Sequence, residues 1–342
     1  MYKVIIRPVL FSFSPEKAHQ MTFLALKSLK FLPFLKYIMK RCFLLEDARL
    51  SKNIFGINFP NPIGLAAGLD KNGEVFNELA CFGFGFIEVG TVTPLPQPGN
   101  TKPRLFRLVK DSALINRMGF NNQGVEKLTK RLRKRNKNLI IGGNIGKNTA
   151  TSNEDAAKDY LYCFKRVYEY VDYIAINVSC PNVENLRDLQ HADYLEIILD
   201  TLCKERVHQS DYKPLVLKIS PDSDVQHLDL IVELCIKYKI DGIIATNTTT
   251  DREKLMTNIE KIGKGGLSGM PLRDKSTQII QYLHQKSQGK LPIIACGGVF
   301  SGSDAENKLK AGASLVQIYT SFIYEGPAIV NRINKHLLKL HL

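Results

Sequence analysis

Eight short β-branched apolar runs, amphipathic segments of helical length between most of them, and polar residues gathered where the runs end predict an α/β fold. The expected form is a (β/α)8 TIM barrel with an N-terminal two-helix extension. Strands that read as near-continuous apolar runs are buried on both faces, as in a parallel sheet. Eight such units suit a closed barrel better than an open doubly wound sheet. The 342 residues fit one large barrel domain or two average domains, and 44% apolar with 23% charged content is ordinary for a chain with a real core.

Taken in chain order, the first 50 residues stand apart. Segment 16–30 places Ala18, Met21, Ala25 and Leu29 on one helical stripe, Leu32-Pro33 breaks it, and segment 34–45 repeats the pattern with Leu35, Ile38, Cys42 and Leu45. Two short basic amphipathic helices in a hairpin follow from this. Such a hairpin either packs on the barrel or rests its apolar face in a membrane interface, with lysines near anionic headgroups. The start, M-Y-K-V-I-I-R-P-V-L-F, is a short apolar patch without a small-residue cleavage site soon after it, so it is not read as a signal peptide. No apolar stretch reaches the roughly 18 residues that span a bilayer.

The expected barrel strands are 63–66 (I-G-L-A), 86–90 (F-I-E-V-G), 139–144 (L-I-I-G-G-N), 173–178 (Y-I-A-I-N-V), 215–219 (L-V-L-K-I), 242–246 (G-I-I-A-T), 293–296 (I-I-A-C) and 314–318 (S-L-V-Q-I). Segments 155–170 and 224–238 are examples of the helices between them. The longer gap after the second strand holds T-P-L-P-Q-P-G-N-T-K-P-R, an expected insertion over the active face. Nearly every strand ends on a polar or glycine position: Lys71, Thr91, Asn144, Asn177, Lys218, Thr246 with Asn247, Gly297–Gly298, and Tyr319 with Thr320. In barrel enzymes these C-terminal ends form the active site whatever the chemistry.

Net charge is +14, with nine Lys/Arg against three acids in residues 1–50 and seven basic residues among the eleven of 127–137. The second cluster lacks aromatic interleaving and any nucleic-acid module, so a solvated helix face is the plainer reading and no nucleic-acid partner is expected. The seven cysteines (Cys42, Cys81, Cys163, Cys180, Cys203, Cys235, Cys296) are odd in number and form no C-x-x-C pair, which argues against a disulfide framework or a zinc site. Cys180 alone stands among polar neighbours, in N-V-S-C-P-N at 177–182.

Several motifs bear on ligands. Glycines in A-C-G-G-V-F-S-G (295–302) and K-G-G-L-S-G (264–269) let backbone approach a phosphate, although each could also be an ordinary turn. G-G-N-I-G-K-N at 142–148 is not a P-loop, because Ile141 stands where its first glycine belongs and Asn148 follows the lysine. No G-x-G-x-x-G opens a helix after the first strand, so a Rossmann nicotinamide domain is unsupported. A lysine is usually a solvated surface charge, but Lys218 sits inside the apolar run L-V-L-K-I-S and requires an anionic or polar partner, such as the N1/O2 edge of a flavin. Asn116, Asn177, Asn182 and Asn247 could each be turn residues. Together they suit a ligand with several amide-like groups, such as a pyrimidine ring.

N-P-I-G-L-A-A-G-L-D-K-N-G (61–73), G-T-V-T-P-L-P-Q-P-G-N-T-K-P-R-L-F-R (90–107), N-R-M-G-F-N-N (116–122), N-V-S-C-P-N (177–182), A-T-N-T-T (245–249), G-G-L-S-G (265–269) and L-V-Q-I-Y-T (315–320) resemble the dihydroorotate dehydrogenase family, in its motif order and over nearly the whole chain. The N-terminal hairpin, with S-P-E-K-A-H at 14–19, is similar to that of the membrane-associated, quinone-reducing class 2 enzymes, which class 1 enzymes lack. The resemblance implies residues 1–50 as a membrane- and quinone-associated hairpin and 51–342 as an FMN-binding barrel. It implies oxidation of (S)-dihydroorotate to orotate in pyrimidine (UMP) biosynthesis, with FMN as hydride acceptor and a quinone as final acceptor. A monomer, peripherally bound to the cytoplasmic face of a bacterial-type inner membrane, goes with it.

The family's residue roles fall on matching positions. Ala67, Gly68, Leu69, Asp70, Lys71, Thr91, Asn144, Asn177, Lys218, Thr246, Gly269, Gly298, Tyr319 and Thr320 would hold FMN. Lys71, Asn116, Arg117, Met118, Gly119, Phe120, Asn177, Asn182, Asn247 and Thr248 would hold dihydroorotate or orotate. Cys180 would be the catalytic base, His19 and Arg107 would lie at the quinone tunnel, and no metal is implied. One position departs: class 2 members usually have Ser in N-x-S-S-P-N, whereas this chain has Cys180, as class 1 enzymes do. The hairpin and K-P-R-L-F-R involve more residues and weigh toward class 2. The alternatives are a soluble class 1-like enzyme using fumarate or NAD, a dihydropyrimidine or dihydrouridine oxidoreductase, or a nucleic-acid-binding protein on a barrel without activity.

Overall fold

The computed structural model describes residues 1–179, 189, 192–253, 255–260 and 262–340. Residues 2–11 are helical ahead of the two expected helices: a π-helical turn over Tyr2–Ile6 runs into α1 (Arg7–Phe11). Pro8 lies in the first turn of α1, where its missing N–H is no loss. This segment is pinned to the barrel by Tyr2 Oη donating to Ile323 O at 2.6 Å, Arg7 donating to Tyr324 O at 3.2 Å, and the Lys3–Glu325 ion pair at 2.6 Å. α2 (Pro15–Ser28) and α3 (Pro33–Phe43), each opened by a proline, match the two expected helices.

The faces they bury differ from the expected stripes. On α2 the barrel is met by Phe23 and Leu26, four and seven residues after His19, with Leu29 beyond them, while Met21 and Ala25 face outward. The larger apolar area of Phe23 and Leu26 outweighs that of two alanines and a methionine. On α3, Leu35, Ile38 and Cys42 of the expected stripe are exposed; Met39 and Phe43 pack against the core instead, with Leu45 beyond the helix.

A hairpin of β1 (Lys52–Ile54) and β2 (Ile57–Phe59) precedes the barrel. The chain then runs β3 (Ile63–Leu65), α4 (Phe76–Leu79), β4 (Phe86–Val92), β5 (Leu105–Leu108), β6 (Ala113–Asn116), α5 (Val125–Leu132), β7 (Ile140–Ile145) and α6 (Ala156–Val167). It continues through β8 (Tyr173–Asn177), α7 (Ala192–Val207), β9 (Leu215–Lys218), α8 (Val225–Lys237), β10 (Gly242–Ala245), β11 (Gly266–Gly269) and α9 (Arg273–Lys286). It ends with β12 (Ile293–Cys296), α10 (Gly302–Lys310), β13 (Leu315–Ile318), α11 (Thr320–Glu325) and α12 (Ile329–Lys339).

All eight expected strands are present. They close in the order β3-β4-β7-β8-β9-β10-β12-β13, every pairing parallel. Alternation along each strand sends one set of side chains outward to the helices and the other into the barrel. The inward set at the N-terminal end, Phe86, Tyr173, Val216, Ile244, Ile294 and Leu315, is capped by Phe59 of the β1–β2 hairpin. Phe59 and Phe86 meet edge-on at 5.1 Å. Gly142 is required there, because a Cβ would stand 2.2 Å from the Tyr173 ring.

The expected insertion after the second strand is the β5–β6 hairpin. With β11 it forms a three-stranded antiparallel sheet over the C-terminal mouth. The basic cluster lies on and after α5, which buries Val125, Leu128 and Leu132 and turns most of its charges to solvent. Arg131 and Arg135 are used structurally, on Asn72 O at 2.9 Å and the Asp172 carboxylate at 2.8 Å. The described cysteines are free thiols.

Candidate active site

The strand ends, the β5–β6–β11 sheet and α2 enclose one cavity of about 600 Å³ at the C-terminal mouth of the barrel. Its floor is polar although fully buried. Lys218, last residue of β9, points inward with its Nζ 3.5 Å from Glu88 Oε1. Glu88 comes from the middle of β4 and also accepts from Asn144 Nδ2 at 2.8 Å, Tyr173 Oη at 3.1 Å and Gln317 Nε2 at 2.7 Å. A buried carboxylate needs this many donors to remain in place.

A ladder of side chains rises from that floor. Thr91 donates to Asn144 Oδ1, Asn177 Nδ2 donates to Thr91 Oγ1 at 2.8 Å, and Asn247 Nδ2 donates to Asn177 Oδ1 at 3.2 Å. Asn247 also reaches Ser179 Oγ at 3.0 Å, and Ser179 donates to Lys218 O at 2.8 Å, which closes a ring of contacts. Amides suit such a ladder because each both donates and accepts.

The loop carrying Asn247 and Thr248 is tied down by Asp222, which takes hydrogen bonds from Thr249, from Thr250 and, at 2.9 Å, from Lys275. Burial would raise the Asp222 carboxyl, but these hydrogen bonds outweigh it and hold the group well below the usual carboxylate range.

On the opposite wall, the turn after β12 passes Gly298 at φ +72°, where a Cβ would lie 2.3 Å from Arg273 Cα. Only glycine fits, and the backbone there is left bare toward the cavity. Lys308 braces this corner from behind by donating to Arg273 O at 2.8 Å, and burial pushes its ammonium down to about 7. Thr320 shares a 2.8 Å hydrogen bond with Ser268, and burial pushes the adjacent Tyr319 phenol up to about 12. Gly269 lines the same wall.

Most expected site residues are brought together. Ala67, Gly68, Leu69, Lys71, Thr91, Asn177, Lys218, Thr246, Asn247 and Thr248 line the cavity, as do Asn116, Met118, Gly119 and Phe120. Lys71 Nζ donates to Gly68 O at 2.9 Å, and Asn116 Nδ2 to Gly266 O at 3.3 Å. Asp70 also borders the cavity, but its two oxygens accept the N–H groups of Glu74 and Val75 at 2.7 and 2.8 Å. Burial pushes its carboxyl up to about 6. Asn144 stands behind the wall and acts through Thr91, Asn177 and Glu88.

Two further expected residues do not reach the cavity wall. Arg117 turns away to Ile262 O and Lys264 O, with its guanidinium 4.6 Å over the Phe106 ring. Arg107 donates to Leu10 O and Phe13 O and lies 4.5 Å over the Phe11 ring, so it anchors the N-terminal segment. Arg104 lines the cavity instead, paired with Glu16 of α2 at 3.1 Å. His19 donates from Nε2 to Leu69 O at 2.9 Å and stacks on Phe23 at 4.0 Å. Burial lowers its pKa, which favours the neutral ring. Cys180 and Asn182 lie outside the described residues.

Glu88, Tyr173, Ser179, Gln317, Asp222 and Lys308 were not singled out from the sequence. The first and fourth carry a readable signal: each is a lone polar residue inside a buried strand, F-I-E-V-G and L-V-Q-I, the same cue that marks Lys218.

The dihydroorotate dehydrogenase family model matches residues 49–340. A dihydroorotate dehydrogenase (quinone) of Christiangramia forsetii is 53% identical over 99% of both chains. One of Idiomarina loihiensis is 48% identical over 97% of this chain and 99% of its own. The crystal structure of a ligand-free-type DHODH from Eimeria tenella superposes with a TM-score of 0.86 at 39% identity, covering 95% of this chain and 94% of that one. The chain belongs to the dihydroorotate dehydrogenase family.

Proposed function

We propose that the protein oxidises (S)-dihydroorotate to orotate and passes the electrons to a quinone, within pyrimidine nucleotide synthesis, with FMN as its cofactor. The observation that carries the reading is the floor of the cavity: an ammonium buried with a carboxylate, ringed by amides, below a glycine-lined wall. The quinone acceptor is supported by the relatives named above, which match along their full length.

The donor set fits FMN. Lys218 offers a cation to the ring edge that becomes negative on reduction, Gly298 leaves bare backbone where a phosphate needs N–H groups, and Gln317 Oε1 is a buried acceptor without a protein partner. FMN, when bound, supplies the two-electron acceptor. The chain's own residues bind and orient. Lys71 pairs with the substrate carboxylate, while Asn116, Asn177, Asn182, Asn247 and Thr248 grip the ring. Cys180 takes a proton from C5; a thiol, with an ordinary pKa near 8.5, does this with less help than a serine hydroxyl. The β5–β6–β11 sheet keeps bulk water from the mouth.

The quinone enters along α2, past His19, Phe23 and Arg104. Leu24, Phe31 and Phe34 are 67%, 84% and 75% exposed on the outer face of the hairpin, with Lys30, Lys36 and Lys40 close by in sequence. Among the described residues no helix is long and apolar enough to cross a membrane. An apolar face beside lysines suits peripheral seating on an anionic surface, which we assign to the cytoplasmic face of the membrane, with the protein a monomer.

Anaerobic mixing with dihydroorotate tests the whole reading. The visible flavin band should bleach, and a quinone should restore it faster than fumarate or NAD. Faster recovery with fumarate or NAD would favour a soluble class 1-like enzyme. A colourless protein that takes up no FMN would overturn the reading.

A further inference from the structure

Glu88 lies beneath the cavity floor, and the reaction as proposed leaves it without a task. It is fully buried, and its four nearest polar partners, Asn144 Nδ2, Gln317 Nε2, Tyr173 Oη and Lys218 Nζ, all donate to it. A surround made only of donors is what an ionised carboxylate, which can only accept, requires. Burial and the Glu88 charge hold the Tyr173 phenol well above its ordinary value, so its Oη remains a donor. Neither oxygen is needed to cap backbone, unlike those of Asp70. Among these partners Lys218 and Gln317 border the cavity, and Asn144 reaches it through Thr91 and Asn177.

We propose that Glu88 is a positioning residue that also sets the charge of the flavin edge: it fixes Lys218 and Asn144, and its negative charge offsets that of the lysine. The proposal rests on the flavin reading above. A lone lysine against the ring edge would favour the reduced, negatively charged cofactor strongly. A carboxylate 3.5 Å from that lysine weakens its field. The site therefore holds the flavin at a lower reduction potential than an unpaired lysine would, which keeps the reduced form able to pass electrons on. Tyr173 and Gln317 moderate the carboxylate in turn, because each donated hydrogen bond withdraws part of its charge.

Two variants of the full chain, loaded with FMN, shift the potential in opposite directions. Glu88→Gln removes the negative charge and should raise the two-electron midpoint potential by about 30 mV, a tenfold change in the equilibrium constant. It should also tighten binding of inorganic sulfite, whose flavin adduct carries its charge at the same edge, by about tenfold. Tyr173→Phe leaves the carboxylate with one donor fewer. It should lower the potential and weaken sulfite binding, and it keeps the ring that packs on Phe86. If Glu88→Gln does not fold with flavin, the sign of the Tyr173→Phe shift decides. An unchanged potential in both variants, or a rise in Tyr173→Phe, overturns the proposal. A wild-type protein that binds no flavin refutes the cofactor reading instead, a separate outcome.

Discussion

The floor of the barrel mouth and the N-terminal hairpin are built on opposite terms. At the floor, Glu88, Lys218, Asn144, Thr91 and Asn177 sit in a continuous buried hydrogen-bonded set, joined by the half-buried Asn247. On the hairpin, α2 meets the barrel through little more than Phe23, Leu26 and the Glu16, His19 and Lys27 contacts, and α3 turns Phe34, Leu35 and Ile38 outward. Satisfied polar networks hold one geometry, whereas sparsely anchored helices open at low cost. On the proposed reading, a site that removes hydride and proton together needs the first, and a path for an apolar acceptor out of a lipid surface would be served by the second.

The largest effects should therefore come from the floor and from the proposed base, Cys180, which lies outside the described residues. Cys180→Ala should lower turnover by about 10²- to 10⁴-fold, the usual share of a general base, with FMN content unchanged in the visible spectrum. Cys180→Ser should keep activity with a higher pH optimum in a pH–rate profile. Lys218→Met leaves Glu88 as a buried charge without its cation. It should cost about 3–5 kcal/mol of stability by denaturant unfolding and release FMN. A Lys218→Met protein of wild-type stability would mean that the floor is not the rigid element described.

Smaller effects belong to the hairpin. Phe31→Ser and Phe34→Ser should each weaken binding to anionic vesicles by tenfold or more, since burying one such ring contributes about 1.5–3 kcal/mol, while dihydroorotate still bleaches the flavin at the wild-type rate. Cosedimentation and stopped-flow absorbance read the two separately. The smallest effect is pH dependent. Burial lowers the His19 pKa while α2 is docked, so the released helix binds the proton more readily. Docking is fully stable above the free value near 6.5 and weakens as pH falls below it. Amides of α2 should exchange faster at pH 5.5 than at 7.5 after correction for intrinsic rates, and His19→Asn should remove that difference.

The two regions also differed in how far the sequence could be read. All eight strands and the residues at their ends were legible, because a strand buried on both faces has few ways to carry a lysine or an asparagine. Glu88 and Gln317 obeyed the same logic and were passed over, since their partners lie 56 to 229 positions away in the chain. The hairpin was legible as two helices but not as faces. Ala18, Met21 and Ala25 make a regular stripe, yet Phe23 and Leu26 do the packing, because the partner surface rather than periodicity chooses the face. Arg107 matched a family motif, but the helical segment 2–11, absent from the sequence reading, captures its guanidinium.

The division of labour between the regions can be measured in one preparation. Remove residues 1–43, through the end of α3, confirm FMN content, and time the two half-reactions by stopped flow. The barrel should still be reduced by dihydroorotate at close to the full-length rate, while reoxidation by a lipophilic quinone falls by tenfold or more. Equal slowing of both half-reactions, with FMN still bound, would contradict the account.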